Sequence, residues 1–352
     1  MKKRYKQPNA KGFFDEDDRR KELAGLNHPL KRLNSEINWE IFRRPIEKMF
    51  EKTPKGPGGR PPYDLVMMFK VLVVQRTYNL SDARTEFSII DSLSIQDFLG
   101  LTLADTAPDE KTIWLFREHL VKVEGIRMLF DLFDKELRNK RLILNKGFII
   151  DASFVEVPIQ RNTREENAVI KEGKCPEEWT RDENANKLAQ KDLDARWTQK
   201  NDENYYGYKD HVKVDAGSKL ITDYTVTDAS VHDSQELNPL LSKDDKGKEL
   251  YADSAYSGEP IAKELESKGI DNHINEKGYR NKPLTKEQIK NNRKKSKVRS
   301  RIEHVFGFIE NSLNGSTLRS IGKRRAAFGI GIMNLIYNMF RAEQISRLSL
   351  ST

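Results

Sequence analysis

The stretch Gly-Phe-Ile-Ile-Asp-Ala-Ser-Phe-Val-Glu-Val, residues 147–157, decides the fold of this 352-residue chain. It is apolar and rich in β-branched residues, which is typical of a central strand with neighbours on both sides. An ionised aspartate in such a strand costs several kcal/mol, roughly, unless it is paired, hydrogen-bonded or bound to a cation. Asp151 is therefore a candidate functional residue.

Two further acidic residues complete a pattern with Asp151. Asp253 ends a short apolar strand within Glu-Leu-Tyr-Ala-Asp-Ser-Ala-Tyr (249–256), and Glu303 lies beside an apolar stripe of helical period in Arg-Ser-Arg-Ile-Glu-His-Val-Phe-Gly-Phe-Ile-Glu (299–310). Two strand-end aspartates and a helix glutamate supply the hard oxygen ligands that Mg²⁺ prefers. The trio predicts a catalytic Mg²⁺ site, with Mn²⁺ able to substitute. Taken singly, each acid has the alternative of a turn or cap residue.

The order of elements around these acids predicts the fold class. A hairpin turning at 215–218, a strand ending in Asp253 and a final helix carrying Glu303 follow the first strand. This is the order of an RNase H-like α/β catalytic domain, with a mixed sheet and flanking helices. The predicted elements are strands at 205–214 and 219–227, a helix at 233–242 capped by Asp233, a helix at 259–268 closed by Gly269, and a short strand at 270–274.

The first part of the chain has a different character. Helical patterns recur at 37–51, 63–78, 81–90 (with Ser81 as N-cap), 92–99, 109–120 and 123–138. We therefore predict an all-α N-terminal domain over residues 1–140. The RNase H-like domain follows over 141–345, with a polar excursion at 158–204, and a tail covers 346–352. A family resemblance implies DNA binding for this helical domain, and the alternative is dimerisation and packing.

Basic residues concentrate just before Glu303. The net charge is +8, but ten basic residues and only one acid lie between Arg280 and Arg301. Such density beside a candidate active site predicts binding to DNA phosphates. The alternative is a solvated basic face. The residues singled out for phosphate binding are Arg293, Lys294, Lys295, Lys297, Arg299 and Arg301.

Trp197 and its neighbour Arg196 form a second candidate DNA contact in the polar excursion. An aromatic face binds an unstacked base at an opened DNA end. The alternative is that Trp197 anchors the excursion on the domain.

The cysteine content and the apolar runs of the sequence indicate the cellular compartment. The single cysteine excludes an intramolecular disulfide and indicates a reducing compartment. We see neither a signal peptide nor an apolar run long enough to span a bilayer. The sequence thus predicts a cytoplasmic protein without a membrane partner.

Five motifs in the same order carry a resemblance to a known family. The chain, from about residue 36 to 345, resembles a DDE transposase of a bacterial insertion sequence, in the insertion-sequence-five group. The resemblance implies that Asp151, Asp253 and Glu303 are the metal-binding triad, and that a homodimer acts on paired ends in the bacterial nucleoid. The motifs are Ile-Ile-Asp-Ala-Ser (149–153), Asp-Ala-Arg-Trp-Thr-Gln-Lys (194–200), Tyr-Tyr-Gly-Tyr-Lys-Asp-His (205–211), Tyr-Ala-Asp-Ser-Ala-Tyr (251–256) and Arg-Ile-Glu-His-Val-Phe-Gly (301–307).

The implied function is binding of terminal inverted repeats, metal-dependent strand cleavage, and transfer of the cut end to target DNA. Two positions depart from the family signature: Ser296 stands where a tyrosine is expected and Glu310 where a lysine is expected. Two alternatives follow. One is an RNase H-like nuclease without strand transfer; the other is a DNA-binding relative that has lost its chemistry.

Overall fold

A computed structural model of the chain describes residues 12–51, 61–200 and 202–349. Eight helices precede the first strand: α1 (Asp15–Gly25), α2 (Pro29–Glu36), α3 (Arg43–Met49), α4 (Leu65–Thr77), α5 (Asp82–Asp91), α6 (Leu93–Leu99), α7 (Glu110–Lys122) and α8 (Gly125–Asn139). The remainder comprises β1 (Gly147–Glu156), α9 (Arg164–Lys171), α10 (Ala185–Ala189), β2 (Arg196–Lys200), β3 (Glu203–Asp215), β4 (Ile221–Asp228), α11 (Leu237–Leu240), β5 (Glu249–Tyr251), α12 (Glu259–Lys268), β6 (Asp271–Asn272), α13 (Lys286–Arg299), α14 (Glu303–Ser312) and α15 (Lys323–Ser349).

The six strands form one mixed sheet with β1 at its centre. β1 pairs antiparallel with β3 and parallel with β5, β3 pairs antiparallel with β4, and β6 lies parallel to β5. The resulting order β4–β3–β1–β5–β6 is that of an RNase H-like sheet, which confirms the predicted fold class. β2, from the polar excursion, pairs with the first residues of β3. β1 is thus flanked on both sides, as its apolar sequence predicts.

Local sequence signals correctly predicted where several elements begin or end. Ser81 caps α5 by accepting a hydrogen bond from the Arg84 backbone N–H, and Gly269 ends α12 in the left-handed conformation. The predicted helix over 37–51 was wrong in its first half. Trp39–Phe42 forms a 3₁₀ turn there, because Trp39 and Phe42 both turn inward to pack on Phe69.

The cap predicted at Asp233 was also wrong. The side chain of His232 accepts the hydrogen bond from the Ser234 N–H, and Asp233 is instead the first residue of a short 3₁₀ turn, Asp233–Glu236. The carboxylate of Asp233 bonds Lys209 Nζ at 2.8 Å. Asp233 therefore forms an ion pair with Lys209, whereas the sequence pattern predicted that it would cap a helix.

The long helix α15 joins the helical and sheet parts of the molecule. Its apolar residues are buried on most sides, and it packs against α2, α4, α7 and α8 as well as β4. The buried Asn338 amide bonds both the N–H and the C=O of Ile221, at 2.9 and 2.7 Å, so β4 begins directly on this helix. One continuous apolar core extends from the N-terminal helices to the sheet. The domain division near residue 140 stays a prediction.

The opposite face of the sheet has its own, smaller core. Phe148 and Ile150 of β1 pack there with Leu250, Leu237 and Leu265. β1 is therefore covered on both faces, and a charge on it is removed from water. Among the described residues, no helix has both the length and the apolar character needed to cross a membrane.

Gly331 tests the packing between α15 and the sheet. A Cβ at this buried position would collide with the Tyr224 hydroxyl and approach Ile126 Cγ2 at 3.1 Å. We expect Gly331→Ala to lower the free energy of unfolding by about 1–3 kcal/mol, measured by urea denaturation. The control is Gly25→Ala in α1, where nothing lies within 4 Å of the added Cβ. Equal stabilities of the two variants would contradict the packing described here.

Candidate active site

Strand pairing brings Asp151 and Asp253 to the same part of the sheet. Ile149 of β1 pairs with Tyr251 of β5 in a parallel ladder, and Asp151 lies two residues beyond Ile149 on β1. β5 ends at Tyr251, and Asp253 follows two residues later as the N-cap of a 3₁₀ turn, Ser254–Tyr256. The Asp253 carboxylate is near enough to contribute to the raised pKa of Asp151. Asp253 is further fixed because its Oδ1 accepts a 2.7 Å hydrogen bond from the Ala255 N–H.

Glu303 reaches this edge of the sheet through a break between two helices. The chain forms a 3₁₀ turn at Ser300–Ile302 between α13 and α14, and Glu303 is the first residue of α14. The sequence pattern predicted one uninterrupted stripe here. The buried Ile302 and Val305 hold the turn against the core, and the Glu303 side chain stays largely exposed beside it.

Arg299 connects two of the three acids. Its Nη1 donates to Asp151 Oδ2 at 2.8 Å, and its Nη2 lies 3.5 Å from Glu303 Oε1. The other Asp151 oxygen accepts the Ala152 N–H at 2.9 Å. The Asp151 carboxylate is thus held by one backbone donor and one guanidinium. The sequence pattern predicted Arg299 as a phosphate ligand, and that role stays a prediction.

Burial dominates the electrostatics of this site. It raises the pKa of Asp151 to about 6, while the Ala152 N–H and Arg299 act in the opposite direction. Burial and the nearby Asp151 carboxylate also raise the pKa of Tyr256. The Tyr256 hydroxyl is buried and has no hydrogen-bond partner among the described residues. A desolvated carboxylate and an unsatisfied buried hydroxyl therefore lie in the same region of the site.

The donor set fits a hard divalent cation. Asp151, Asp253 and Glu303 offer carboxylate oxygens, and the Asp151 oxygen bound by Arg299 lacks any other partner within the described chain. In the described ranges, no three Asp, Glu, His or Cys side chains form a preassembled metal-binding group. Arg299 lies between Asp151 and Glu303 instead. The assignment of the three acids as metal ligands stays a prediction.

The two departures from the family signature have defined contacts. Ser296 Oγ accepts a 3.0 Å hydrogen bond from the amide of Asn275, which ties α13 to the segment after β6. Glu310 Oε1 accepts a 3.1 Å bond from Ser153 Oγ. The sequence reading missed this second contact. The spacing of the residues could have predicted this contact. Ser153 lies on the same face of β1 as Asp151, and Glu310 lies two turns after Glu303 on α14.

The predicted DNA-binding residues divide into two groups. Arg196 donates to the carbonyl oxygens of Leu193, Ala195 and Ile170, and Arg301 and Lys295 also donate to backbone carbonyls. These three side chains support the fold. The second group lies exposed on α13 without a side-chain partner among the residues described: Arg293, Lys294 and Lys297.

Trp197 lies on β2 and is 47% exposed. Its ring contacts Tyr206 on β3, with ring centroids 5.0 Å apart. One face of the indole therefore anchors the excursion to the sheet, as the structural alternative predicted. The exposed remainder is available to a base, and base stacking by Trp197 stays a prediction.

The fold and the site together define a class of protein. Asp151 lies within β1 and not at its end, so the strand-end position predicted for it was wrong. An RNase H-like sheet with one aspartate in its central strand, a second just after the neighbouring strand and a glutamate at the start of a nearby helix is suited to phosphoryl transfer with divalent metal.

Comparison with known families identifies the family, within this class, to which the chain belongs. A family model described as "Transposase DDE domain" matches residues 144–339, more than half of the chain. A second, described as "Transposase domain (DUF772)", matches residues 18–119. The chain belongs to the DDE transposase family, whose members generally use divalent metal ions. It is a transposase, an enzyme that acts on DNA. The finer assignment to the insertion-sequence-five group stays a prediction.

A solved structure is also similar to this chain over most of the chain's length. The cryo-EM structure of a piggyBac transposase synaptic complex with hairpin DNA aligns with a TM-score of 0.45 and 13% sequence identity. The alignment covers 93% of this chain and 77% of that chain. Membership of the family rests on the two family matches above.

The raised pKa of Asp151 gives a test of its burial. Its pKa of about 6 in the folded protein exceeds the ordinary value of 3.8, so ionisation opposes folding and stability falls as pH rises toward 6. Asparagine carries no such cost. We expect Asp151→Asn to match wild type near about pH 4 and to exceed it by up to about 3 kcal/mol near pH 8. The measurement is urea denaturation in chelator-treated buffer. A stability difference that is absent at high pH, or largest at low pH, would contradict this account.

Proposed function

We propose that this transposase cleaves the ends of its own element and joins them to target DNA, using Asp151, Asp253 and Glu303 as the catalytic carboxylates. The single observation that carries the proposal is the pairing of β1 with β5, which brings Asp151 and Asp253 together. Glu303 completes the set through its contact with Arg299, which also binds Asp151.

The three carboxylates would hold Mg²⁺, or Mn²⁺ as a substitute. When bound, divalent ions in such a site activate a water or a DNA 3′-OH for in-line attack and stabilise the leaving 3′ oxygen. The Ala152 N–H fixes one Asp151 oxygen, and the other accepts from Arg299. The Asp151 side chain is only 14% exposed, so little water reaches it. No side-chain nucleophile is required.

Arg299 has two roles in this proposal. In the absence of metal it balances the Asp151 charge, at a contact of 2.8 Å. Its second role would be to bind a DNA phosphate, for which the planar donor pattern of the guanidinium is suited. Arg293, Lys294 and Lys297, exposed on the same helix, extend this basic surface. We further propose that the protein binds terminal inverted repeats as a homodimer on paired ends.

Substitution of the acids tests the proposal. We expect Asp253→Asn and Glu303→Gln each to reduce metal-dependent nicking of DNA that carries the element's ends by about a thousandfold or more, because each removes a charged ligand. Binding to the same DNA, measured by gel shift, should stay nearly intact.

The matched control is Glu259→Gln, an exposed carboxylate on α12 whose loss should leave nicking unchanged. Joined products in the wild-type reaction would separate a transposase from a nuclease that only cuts. Nicking that persists in both acid variants would overturn the assignment. Binding without cleavage by wild type would favour a relative that has lost its chemistry.

A further inference from the structure

Two cavities meet at the segment between α14 and α15. The first, of about 470 Å³, lies between α4, α7 and α15, and residues 317–321 line it. The second, of about 300 Å³, lies between the polar excursion and the same segment. Both are lined by Arg319, Ser320 and Ile321. These three residues therefore border both cavities, called here together the arginine trough; Arg76 lines the first cavity, Arg161 the second and Arg319 both.

The three arginines that define the trough have no carboxylate partner among the described residues. Arg76 Nη2 donates to the carbonyl oxygens of Leu313 and Asn314, at 2.6 and 3.0 Å, and its Nε is buried without an acceptor. Burial lowers the pKa of Arg76 to about 10. The side chains of Arg161 and Arg319 are exposed and form no ion pair within the described ranges.

Other charged side chains around the trough already have partners. Arg117 bonds Asp82 at 2.9 Å and Arg325 bonds Glu118 at 2.7 Å. Lys191 Nζ donates to Arg161 O and Asn162 Oδ1.

One buried carboxylate, Asp192, lines the second cavity. It accepts hydrogen bonds from the Tyr208 hydroxyl and the Gly322 N–H and forms no ion pair within the described residues. The Ser320 hydroxyl is buried nearby without a partner in the described chain. The three arginines of the trough therefore have no carboxylate to neutralise them in the part of the chain that the structure describes.

The trough lies at a fixed distance from the catalytic acids. Thr317 pairs with Glu156 at the end of β1; the Glu156 N–H donates to Ser316 O and the Leu318 N–H donates to Glu156 O, both at 2.8 Å. Glu156 is five residues beyond Asp151 on the same strand. At about 3.3 Å per residue this is roughly 17 Å, or about five phosphates along one strand of duplex DNA.

We propose that the arginine trough is a second DNA-backbone site, holding phosphates of one strand about five nucleotides from the phosphate that is cut at Asp151. The inference rests on the proposed function, since it takes Asp151 as the place of cleavage. A polyanion fits better than a single free anion because the three arginines come from three separate parts of the chain. The N-terminal helices, the excursion and the catalytic domain would then grip the same strand.

The test uses the full chain and a fluorescein-labelled 30-base-pair duplex of unrelated sequence, with binding followed by anisotropy at several NaCl concentrations. Loss of one phosphate contact lowers the slope of log affinity against log salt by about 1. We expect the slope to fall by about 1 for Arg319→Gln and for Arg161→Gln, and by about 2 for the double variant. Both side chains are exposed, so folding is not at risk. Arg19→Gln, an exposed arginine paired with Glu22 on α1, is the matched control and should keep the wild-type slope.

The possible results separate the two proposals. A wild-type slope in the double variant, with DNA binding intact, overturns the trough and leaves the proposed function standing. Failure of the wild-type chain to bind any duplex overturns both. A third arm uses inorganic phosphate alone in a thermal-shift assay. Stabilisation by phosphate that depends on Arg319, combined with an unchanged DNA slope, would make the trough a small-anion site and contradict the proposal.

Discussion

The negative charge of Asp151 in the central strand is the constraint on which the rest of the site depends. β1 is covered by apolar side chains on both faces, so this carboxylate pays a desolvation cost that raises its pKa to about 6. The fold offers it one backbone N–H and one guanidinium. A residue held this way is costly for stability and well suited to a cation. Ionisation of Asp151 therefore lowers stability at the position proposed for the chemistry.

The surrounding elements hold further charged side chains near Asp151 on β1. The parallel β1–β5 ladder brings Asp253 to the part of the sheet that holds Asp151, and the 3₁₀ turn before α14 positions Glu303 so that Arg299 contacts both Glu303 and Asp151. α15 then fixes the sheet to the N-terminal helices through one apolar core. The same packing positions Arg76 of α4 near the segment that pairs with the end of β1. The helical part and the sheet part of the molecule are thereby held together by one apolar core.

Sequence alone predicted the features that rest on local patterns. The apolar run around Asp151, the hairpin of β3 and β4, and the limits of α12 follow from strand alternation, turn residues and a C-cap glycine. The break at Ser300–Ile302 was missed, because the apolar period continues through it and only tertiary packing reveals it. The contact of Ser153 with Glu310 and the meeting of Arg76, Arg161 and Arg319 were also missed, since they join residues far apart in the chain.

The central claim is that Arg299 and a divalent cation compete for Asp151, and calorimetric titration of Mn²⁺ into the metal-free protein tests it most directly. The account predicts measurable Mn²⁺ binding by wild type, none at this site in Asp151→Asn, and tighter binding in Arg299→Gln, because the competing guanidinium is gone. Equal Mn²⁺ affinity in wild type and Asp151→Asn would contradict the account, as would weaker binding in Arg299→Gln.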